Sequence, residues 1–479
     1  MGGETAVLTV DGEKTLFQVL REAHLPVPES PCGGRGRCGK CTVKAQGALR
    51  SLSDGAVKTV NGPVRSCQYF PAGDVTVWLK AASAAPEVPA VASAIPGGGT
   101  GQGLAIDLGT TTVTAALYDL ATGALLRVQS ELNAQRTYGA DVITRIQHCR
   151  EGHFQDLFDV TCAQLAGFTR DTDRLTRVTI AGNTVMEHLA AGLDPSPLAV
   201  PPFTVRSLFG QTAASSLWPD AQVYYSRCVS AYVGGDITAG MAACGLQHAE
   251  GLVLYVDIGT NGEIALWKDG RLYVTSTAAG PAFEGAGISC GCGSIAGAID
   301  RVWAENGQIC AHTIGEAPAV GICGSGLIDA VAALLARGDV DETGAAEAKS
   351  LSLQDGVSLL QEDIRAVQLA KAAIAAGIQT LLADAGVAEG EIENLFIAGG
   401  FGSHLNATSA AAIGLIPRAF AKKVRVLGNA SLTGAGMLLL DEEKLAQAAT
   451  IVQKAIPVAL GGNPKFNEAY IEQMLFPEE

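Results

Sequence analysis

The stretch IDLGTTTVTAAL at residues 106–117 returns as VDIGTNGEIAL at residues 256–266. Each copy reads apolar, Asp, apolar, Gly, Thr, and then a β-prone run. A repeated supersecondary unit constrains a fold more than any single motif. This one predicts two related halves facing each other, each carrying one Asp-Gly hairpin. The surroundings agree, because residues 104–479 alternate β-rich runs with longer helical stretches and so predict an α/β architecture. LVLYVDIG (252–259) reads as a strand and IRAVQLAKAAIAAGIQTLLADAG (364–386) as a helix.

Residues 1–80 form a separate compact unit. TAVLTV (5–10) alternates like a strand and DGEK makes a turn. TLFQVLREAH (15–24) has helical spacing at Leu16, Val19, Leu20 and Ala23. CTVKA (41–45) and DVTVWLK (74–80) read as closing strands. Residues 81–103 are rich in Ala, Pro and Ser and then in Gly. They predict a linker, semi-stiff first and flexible later.

The net charge of −15 argues against nucleic acid as a partner, since phosphate binding needs clustered Lys and Arg. No cationic segment leads into an apolar run at the N-terminus, and no run of 18 apolar residues is free of charge or punctuation. The expectation is a cytoplasmic protein with no membrane partner. Its 12 cysteines then read as ligands or buried thiols rather than disulfides.

Four of them stand out. Five residues separate Cys32 from Cys38, two separate Cys38 from Cys41, and 25 separate Cys41 from Cys67. Three thiolates in PCGGRGRCGKC must wrap a cluster, and Gly33, Gly34, Gly36 and Gly39 permit the backbone to curl. A structural zinc site would use two CxxC knuckles, and only one is present here. The spacing resembles the [2Fe–2S] ferredoxins of the β-grasp type, with one residue more in the first gap than the plant-type pattern. That resemblance implies an α+β β-grasp domain with Cys32, Cys38, Cys41 and Cys67 as iron ligands.

For nucleotide there is neither a GxxxxGK[ST] loop nor a GxGxxG after a first strand. The paired hairpins supply another solution. An Asp at a strand end followed by Gly-Thr places hydroxyls and backbone N–H groups around a phosphate. The carboxylate can bind Mg²⁺ directly or through water. Facing hairpins would clamp a triphosphate from both sides, and LFIAGGFGSHLN (395–406) would give a side-chain-free floor for adenosine. Asp107–Gly109–Thr110–Thr111, Asp257–Gly259–Thr260–Asn261 and Gly399–Gly400–Phe401–Gly402 resemble the phosphate 1, phosphate 2 and adenosine motifs. Those motifs belong to the superfamily of acetate and sugar kinases, heat-shock chaperones and actin. The resemblance implies a two-lobed RNase-H-like, actin-like ATPase with ATP and Mg²⁺ between the lobes.

A [2Fe–2S] domain ahead of such an ATPase resembles the reductive activators of corrinoid proteins. AGNTVMEHLAAG (181–192), GPAFEGAGISCG (280–291), ICGSGLIDAV (322–331) and GNASLTGA (428–435) carry the likeness over nearly the whole chain. It implies ATP-driven transfer of one electron from the cluster to an inactive Co(II) corrinoid protein of a methyltransferase system, restoring Co(I). A low-potential ferredoxin or flavoprotein would supply the electron. Most members of the family carry an extra region between linker and ATPase. With only about 23 residues in that place, the chain reads as a short form that lacks it. The rival reading is a small-molecule kinase with a redox-sensing cluster domain.

Several residues keep two readings. Asp236, in VGGDITAG, would position water or metal, as a third catalytic group beside Asp107 and Asp257, or would cap a helix. Glu187 orients water or is a solvated or lobe-packing carboxylate. Glu284 would line the phosphate site. Gly324–Ser325–Gly326 would aim a helix N-terminus at the nucleotide or make a packing turn. His188 and His404 read as structural or surface residues. Cys290 and Cys292 form a C-x-C, which on one reading mimics the [4Fe–4S] site that activators of 2-hydroxyacyl-CoA dehydratases, in the same ATPase superfamily, share across a homodimer. The simpler reading makes them buried small hydrophobes, like Cys149, Cys162, Cys228, Cys244, Cys310 and Cys323.

Overall fold

The computed structural model describes residues 7–10, 12–23, 25, 32–36, 41–79, 98–346, 348–400 and 405–478. Cys38, Phe401, Gly402, His404 and residues 81–97 of the linker segment lie outside the described residues.

In the N-terminal unit, helix α1 (Leu16–Glu22) starts where Thr15 and Gln18 close a capping box, the Gln18 amide donating to Thr15 Oγ1 at 3.3 Å. It buries Leu16, Phe17 and Leu20 against a three-stranded antiparallel sheet. The sheet comprises β1 (Thr42–Ser51), β2 (Val57–Arg65) and β3 (Tyr69–Trp78), in the order β2-β1-β3. Residues 7–10 are not a strand. Val7 is 91% exposed, so the predicted alternation there finds no edge to pair with.

The repeat corresponds to a duplicated topology. The first sheet contains β4 (Gln102–Leu108), β5 (Thr112–Asp119), β6 (Leu125–Leu132), β7 (Leu175–Gly182), β8 (Thr212–Ala213) and β9 (Gln222–Tyr225), in the order β6-β5-β4-β7-β9-β8. Strand β4 opens at Gln102, inside the stretch read as linker. Helices α2 (Val142–His148), α3 (Phe154–Gly167) and α4 (Thr184–Ala190) cover one face, burying Ile146, Leu157, Leu165 and Met186 on Leu104, Ile106 and Leu108.

Helix α5 (Gly235–Ala243) leads to the second sheet. This contains β10 (Val253–Ile258), β11 (Gly262–Lys268) and β12 (Arg271–Thr277). A subdomain follows with β13 (Ala298–Glu305), β14 (Gln308–Thr313), β15 (Gly321–Ile322), α6 (Gly324–Arg337), β16 (Ser350–Gln354), β17 (Val357–Leu360) and α7 (Gln361–Ala385). The chain returns through β18 (Asn394–Ala398), α8 (Ala407–Ala412), β19 (Val424–Gly428), α9 (Ala430–Leu440), α10 (Glu442–Gln453), β20 (Ala455–Pro457) and α11 (Pro464–Glu472). The sheet order is β19-β18-β10-β11-β12-β20.

In both sheets the hairpin strands pair antiparallel and the next two strands join parallel. Strands β6-β5-β4-β7-β9 therefore superpose in topology on β12-β11-β10-β18-β19, the duplicated arrangement that the repeat predicts. Helix α7 runs 25 residues and is long and apolar enough to cross a membrane, but most of it is buried in the second lobe's core.

The two halves are cross-braced. Helix α5 packs on the second sheet through Ile237 and Met241, and α9 packs on the first through Leu432, Ala435 and Leu439. Two glycines let backbone come close at this crossing. A Cβ on Gly434 would lie 2.0 Å from the Ala239 carbonyl oxygen, and one on Gly240 would lie 2.2 Å from the Tyr255 hydroxyl.

Candidate nucleotide site

The cross-bracing leaves a cleft of about 730 Å³ between the lobes. Its lining includes Asp107, Gly109, Thr110 and Thr111 from the β4–β5 hairpin and Asp257, Gly259, Thr260 and Asn261 from the β10–β11 hairpin. Asp236, Gly324, Gly399 and Gly400 line it too. The structure thus brings together nearly every nucleotide-site residue expected from sequence that it describes. Ser325 is the exception: it is buried, 3.3 Å from Cys323 Sγ, and does not line the cleft.

Pairing register explains how the aspartates get there. Asp107 sits opposite Thr114 and Asp257 opposite Glu263, each one residue from the end of a buried central strand. Each carboxylate emerges where its strand gives way to the turn. At Gly399 the backbone has φ 122°, and a Cβ would lie 2.2 Å from the Ile258 carbonyl oxygen, so only glycine fits at the floor.

The two aspartates are held differently. Asp107 accepts hydrogen bonds from Asn429 Nδ2 at 2.7 Å and Ser431 Oγ at 2.8 Å. Burial raises its pKa against these two donors. Asp257 has one such partner, the Tyr255 hydroxyl at 3.2 Å. Its carboxyl is pushed up to about 7, by burial first and then by the charge of Asp107. Burial and the charge of Asp257 raise Asp236 as well. Asp236 is not the helix cap, which is Gly234. It lies in the first turn of α5, its Oδ1 accepting from the Ile237 amide at 2.8 Å.

Glu284 joins the two hairpins. Thr111 Oγ1 and Thr260 Oγ1 both donate to its Oε2, at 3.1 Å and 2.6 Å. Glu187 is not solvated. It is fully buried behind α5, accepting from the Gly182 amide at 3.1 Å, which makes it a packing group between β7 and α5 rather than a cleft residue. His188 is buried and bonded to its own helix through the Thr184 carbonyl, 2.6 Å away. Cys292 lines the cleft wall, and Cys290 donates to the Ser358 carbonyl at 3.1 Å; both are half-buried, not sealed in the core.

Five carboxylates line the cleft, Asp107, Asp236, Asp257, Glu263 and Glu284, and Arg136 is the one basic side chain among its described residues. Their mutual repulsion is what a divalent cation relieves. Among the described residues no three carboxylate, His or Cys groups are close enough to hold a bare ion. The arrangement therefore suits Mg²⁺ arriving with phosphate oxygens and waters that complete its octahedron.

A pH dependence follows. These carboxyls keep protons in the folded state that the unfolded chain has lost. Their contribution to stability is therefore whole below the ordinary 3.8 of Asp and lost as pH rises through about 7 at Asp257. The Tm gained from Mg²⁺-nucleotide should grow between about pH 5 and pH 8, and Asp257→Asn should flatten that growth. Scanning fluorimetry checks it; a pH-independent gain would contradict the electrostatic account.

In the N-terminal unit, Cys41 Sγ and Cys67 Sγ lie 3.1 Å apart beneath Phe17, too far for a disulfide. Burial and the neighbouring Cys41 push the Cys67 thiol up. The loop carrying Cys32 has φ values of 60°, 83° and 75° at Gly33, Gly34 and Gly36, and a Cβ on Gly34 would strike Phe17 at 2.8 Å. Among the described residues the structure brings Cys41 and Cys67 together but does not add Cys32 as a third close thiol, so the buried pair beneath the curled glycine loop fits part of a thiolate site for a cluster.

Sequence reasoning missed Asn429 and Ser431 as partners of Asp107, although GNASLTGA had marked their segment. It also missed Asn183, which caps α4 and donates to Thr110 Oγ1 at 3.0 Å.

Comparisons with known proteins place this geometry. A family model of the C-terminal domain of RACo, the ASKHA domain, matches residues 251–479, and one of the RACo middle region matches residues 102–249. The corrinoid activation enzyme RamQ of Eubacterium limosum is 34% identical over 417 residues, spanning 78% of this chain and 70% of its own. The [Co(II) methylated amine-specific corrinoid protein] reductase of Methanosarcina barkeri is 26% identical over 425 residues, 78% of this chain and 77% of that one. A solved reductive activator for corrinoid, iron–sulfur protein aligns with TM-score 0.73 and 27% identity over 98% of this chain and 96% of its own. The expected absence of a middle region is corrected by these matches: the region is present and makes up the first lobe.

Proposed function

The chain belongs to the family of reductive activators of corrinoid proteins, and from that premise we propose that it uses ATP to pass one electron from a [2Fe–2S] cluster to a Co(II) corrinoid protein. The observation that carries the reading is that one chain combines a two-hairpin phosphate clamp with a buried thiol pair under a glycine loop. The proposed division is a cluster domain over residues 1–80 and an ATPase from 104 onward. Helix α1 packed on the β2-β1-β3 sheet supports a β-grasp assignment for the former. Cys32, Cys41 and Cys67, with Cys38 beside them in sequence, would hold the cluster, which when bound supplies a one-electron donor. A reducing cytoplasm, where thiols stay free, suits this cysteine usage.

The protein's own residues account for the nucleotide half. Asp107 and Asp257 would face the phosphates from opposite lobes, and they are the residues that would hold Mg²⁺ when it arrives with the nucleotide. Thr111 and Thr260 exchange Glu284 for phosphate oxygens, so binding replaces a bridge within the protein by one through the ligand. Asp236, a carboxyl raised by burial, would orient the attacking water. Reducing cobalt is uphill for a cluster of ordinary potential, and each 59 mV costs about tenfold in equilibrium for one electron. ATP would supply the difference by changing which state of the complex is populated.

Mixing dithionite-reduced protein with Mg²⁺-ATP and a Co(II) corrinoid protein should bleach the Co(II) absorption and yield Co(I), or methyl-Co(III) when a methyl donor is present. Omitting ATP should slow or stop it. Cobalt reduction indifferent to ATP, together with phosphorylation of a metabolite, would favour the kinase reading.

A further inference from the structure

The loop that follows Cys32 packs on the nucleotide lobe. Arg35 Nη2 reaches both carboxylate oxygens of Glu151, at 3.1 and 3.2 Å. The Gly33 backbone presses on the same surface, where a Cβ would lie 2.4 Å from His148 Nε2 and 2.7 Å from the Tyr138 carbonyl oxygen. The Arg21 guanidinium stands 4.3 Å over the Tyr138 ring. Tyr138, His148 and Glu151 sit just before, at the end of, and just after α2.

The inner side of α2 touches the nucleotide site. Arg145 is fully buried, and its three nitrogens donate to the Thr110 carbonyl at 2.5 Å, the Gly139 carbonyl at 3.0 Å and Gln135 Oε1 at 3.2 Å. Thr110 belongs to the β4–β5 phosphate hairpin. Arg145, which reaches the hairpin, and His148, which lies under the loop, are three residues apart on α2, about 4.5 Å of rise, and so share one helical turn. The chain then kinks at Gly152, φ 97°, before α3 begins at Phe154.

We propose that α2 couples the two halves of the protein: without nucleotide the Cys32 loop is parked on α2 through Arg35–Glu151 and Gly33–His148, and phosphate binding at Thr110 shifts Arg145 and α2 and releases it. The proposal rests on the reading of Cys32 as a cluster ligand. The parked face is the one through which a cluster would exchange electrons, so release would open the cluster to its partner only when nucleotide is present. An exposed ion pair is weak by itself, which suits a contact broken in every cycle. The coupling requires nucleotide to bind the released arrangement more tightly than the parked one.

Hydrogen exchange on the full, cluster-loaded chain tests it, read by mass spectrometry at residues 32–36 and 142–153. Adding Mg²⁺ with a non-hydrolysable ATP analogue should raise exchange in the Cys32 loop about tenfold, as expected for loss of a local contact. Glu151→Lys should give the high rate without nucleotide. The swap Arg35→Glu with Glu151→Arg should restore both protection and response. Arg145→Lys, which cannot reach Thr110, Gly139 and Gln135 together, should keep protection and lose the response. Equal exchange with and without nucleotide, or in Glu151→Lys and parent, overturns the proposal. Iron and sulfide are measured on every sample: their absence from the parent refutes the cluster reading, whereas full iron with an unresponsive loop refutes only the coupling.

Discussion

Alanine at Asp257 should cut Mg²⁺-ATP turnover by about a hundredfold or more while leaving the visible spectrum of the cluster domain unchanged. Asp257 projects from the end of β10 with one hydrogen-bond partner, Tyr255, so its loss orphans one donor where the loss of Asp107 orphans two. Its carboxyl is raised by burial and by Asp107, a strained arrangement that Mg²⁺ would relieve. The side chain therefore stores electrostatic strain for the bound state and adds little to the fold. Asp107→Ala should differ, since it leaves Asn429 Nδ2 and Ser431 Oγ without their acceptor. It should lose stability as well as activity, by about 1–3 kcal/mol for the orphaned donors. Steady-state hydrolysis with thermal melts of both variants separates the two. Near-normal turnover in Asp257→Ala would mean that the hairpins do not hold the phosphates.

Serine at Cys67 should bleach the protein. Parent protein purified without oxygen should be red-brown, with about two irons and two sulfides per chain, and its reduced form should give the EPR signal of one S = 1/2 centre. Cys67 and Cys41 are buried with Phe17 beneath the glycine loop, so a replacement ligand cannot reach in from solvent. Serine is isosteric and its hydroxyl is a poor substitute for a thiolate on iron. Iron should fall to a small fraction of the parent value, and ATP hydrolysis should persist, because no Cys67 contact extends to the cleft. Stoichiometric zinc without sulfide in the parent would replace the cluster by a structural metal site.

The parts of the site legible in the sequence were those written locally. Asp107 and Asp257 could be read because each hairpin carries its whole pattern within a dozen residues, and the repeat announced the duplicated sheet. Glu284 was legible from its place among small residues. Asn429 and Ser431 were not, because their partner lies 322 and 324 residues earlier and only the fold brings them together. Strand β2 was missed because VKTVNGPVR is mostly exposed and carries Asn-Gly and Pro, which mark turns and strand edges. Residues 7–10 erred the other way: alternation describes one face of a strand, but a strand exists only where a neighbour supplies the hydrogen bonds. Ser325 looked like a ligand from its flanking glycines, yet Gly326 is there for packing, since a Cβ would lie 2.2 Å from the Ile299 carbonyl oxygen.

The crossing of α5 and α9 has a consequence for speed. Gly434 lies on the Ala239 carbonyl with no methyl between them. Helices that slide past one another usually wait for interlocked side chains to change rotamer. Here one contact is backbone on backbone, flanked by the packed side chains of Ala239, Leu432 and Ala435. Friction in lobe closure would also come from the bonds across the cleft, Asn429 and Ser431 to Asp107 and Thr111 to Glu284. A nucleotide that displaces Thr111 and Thr260 from Glu284 would remove the bridge that joins the two hairpins.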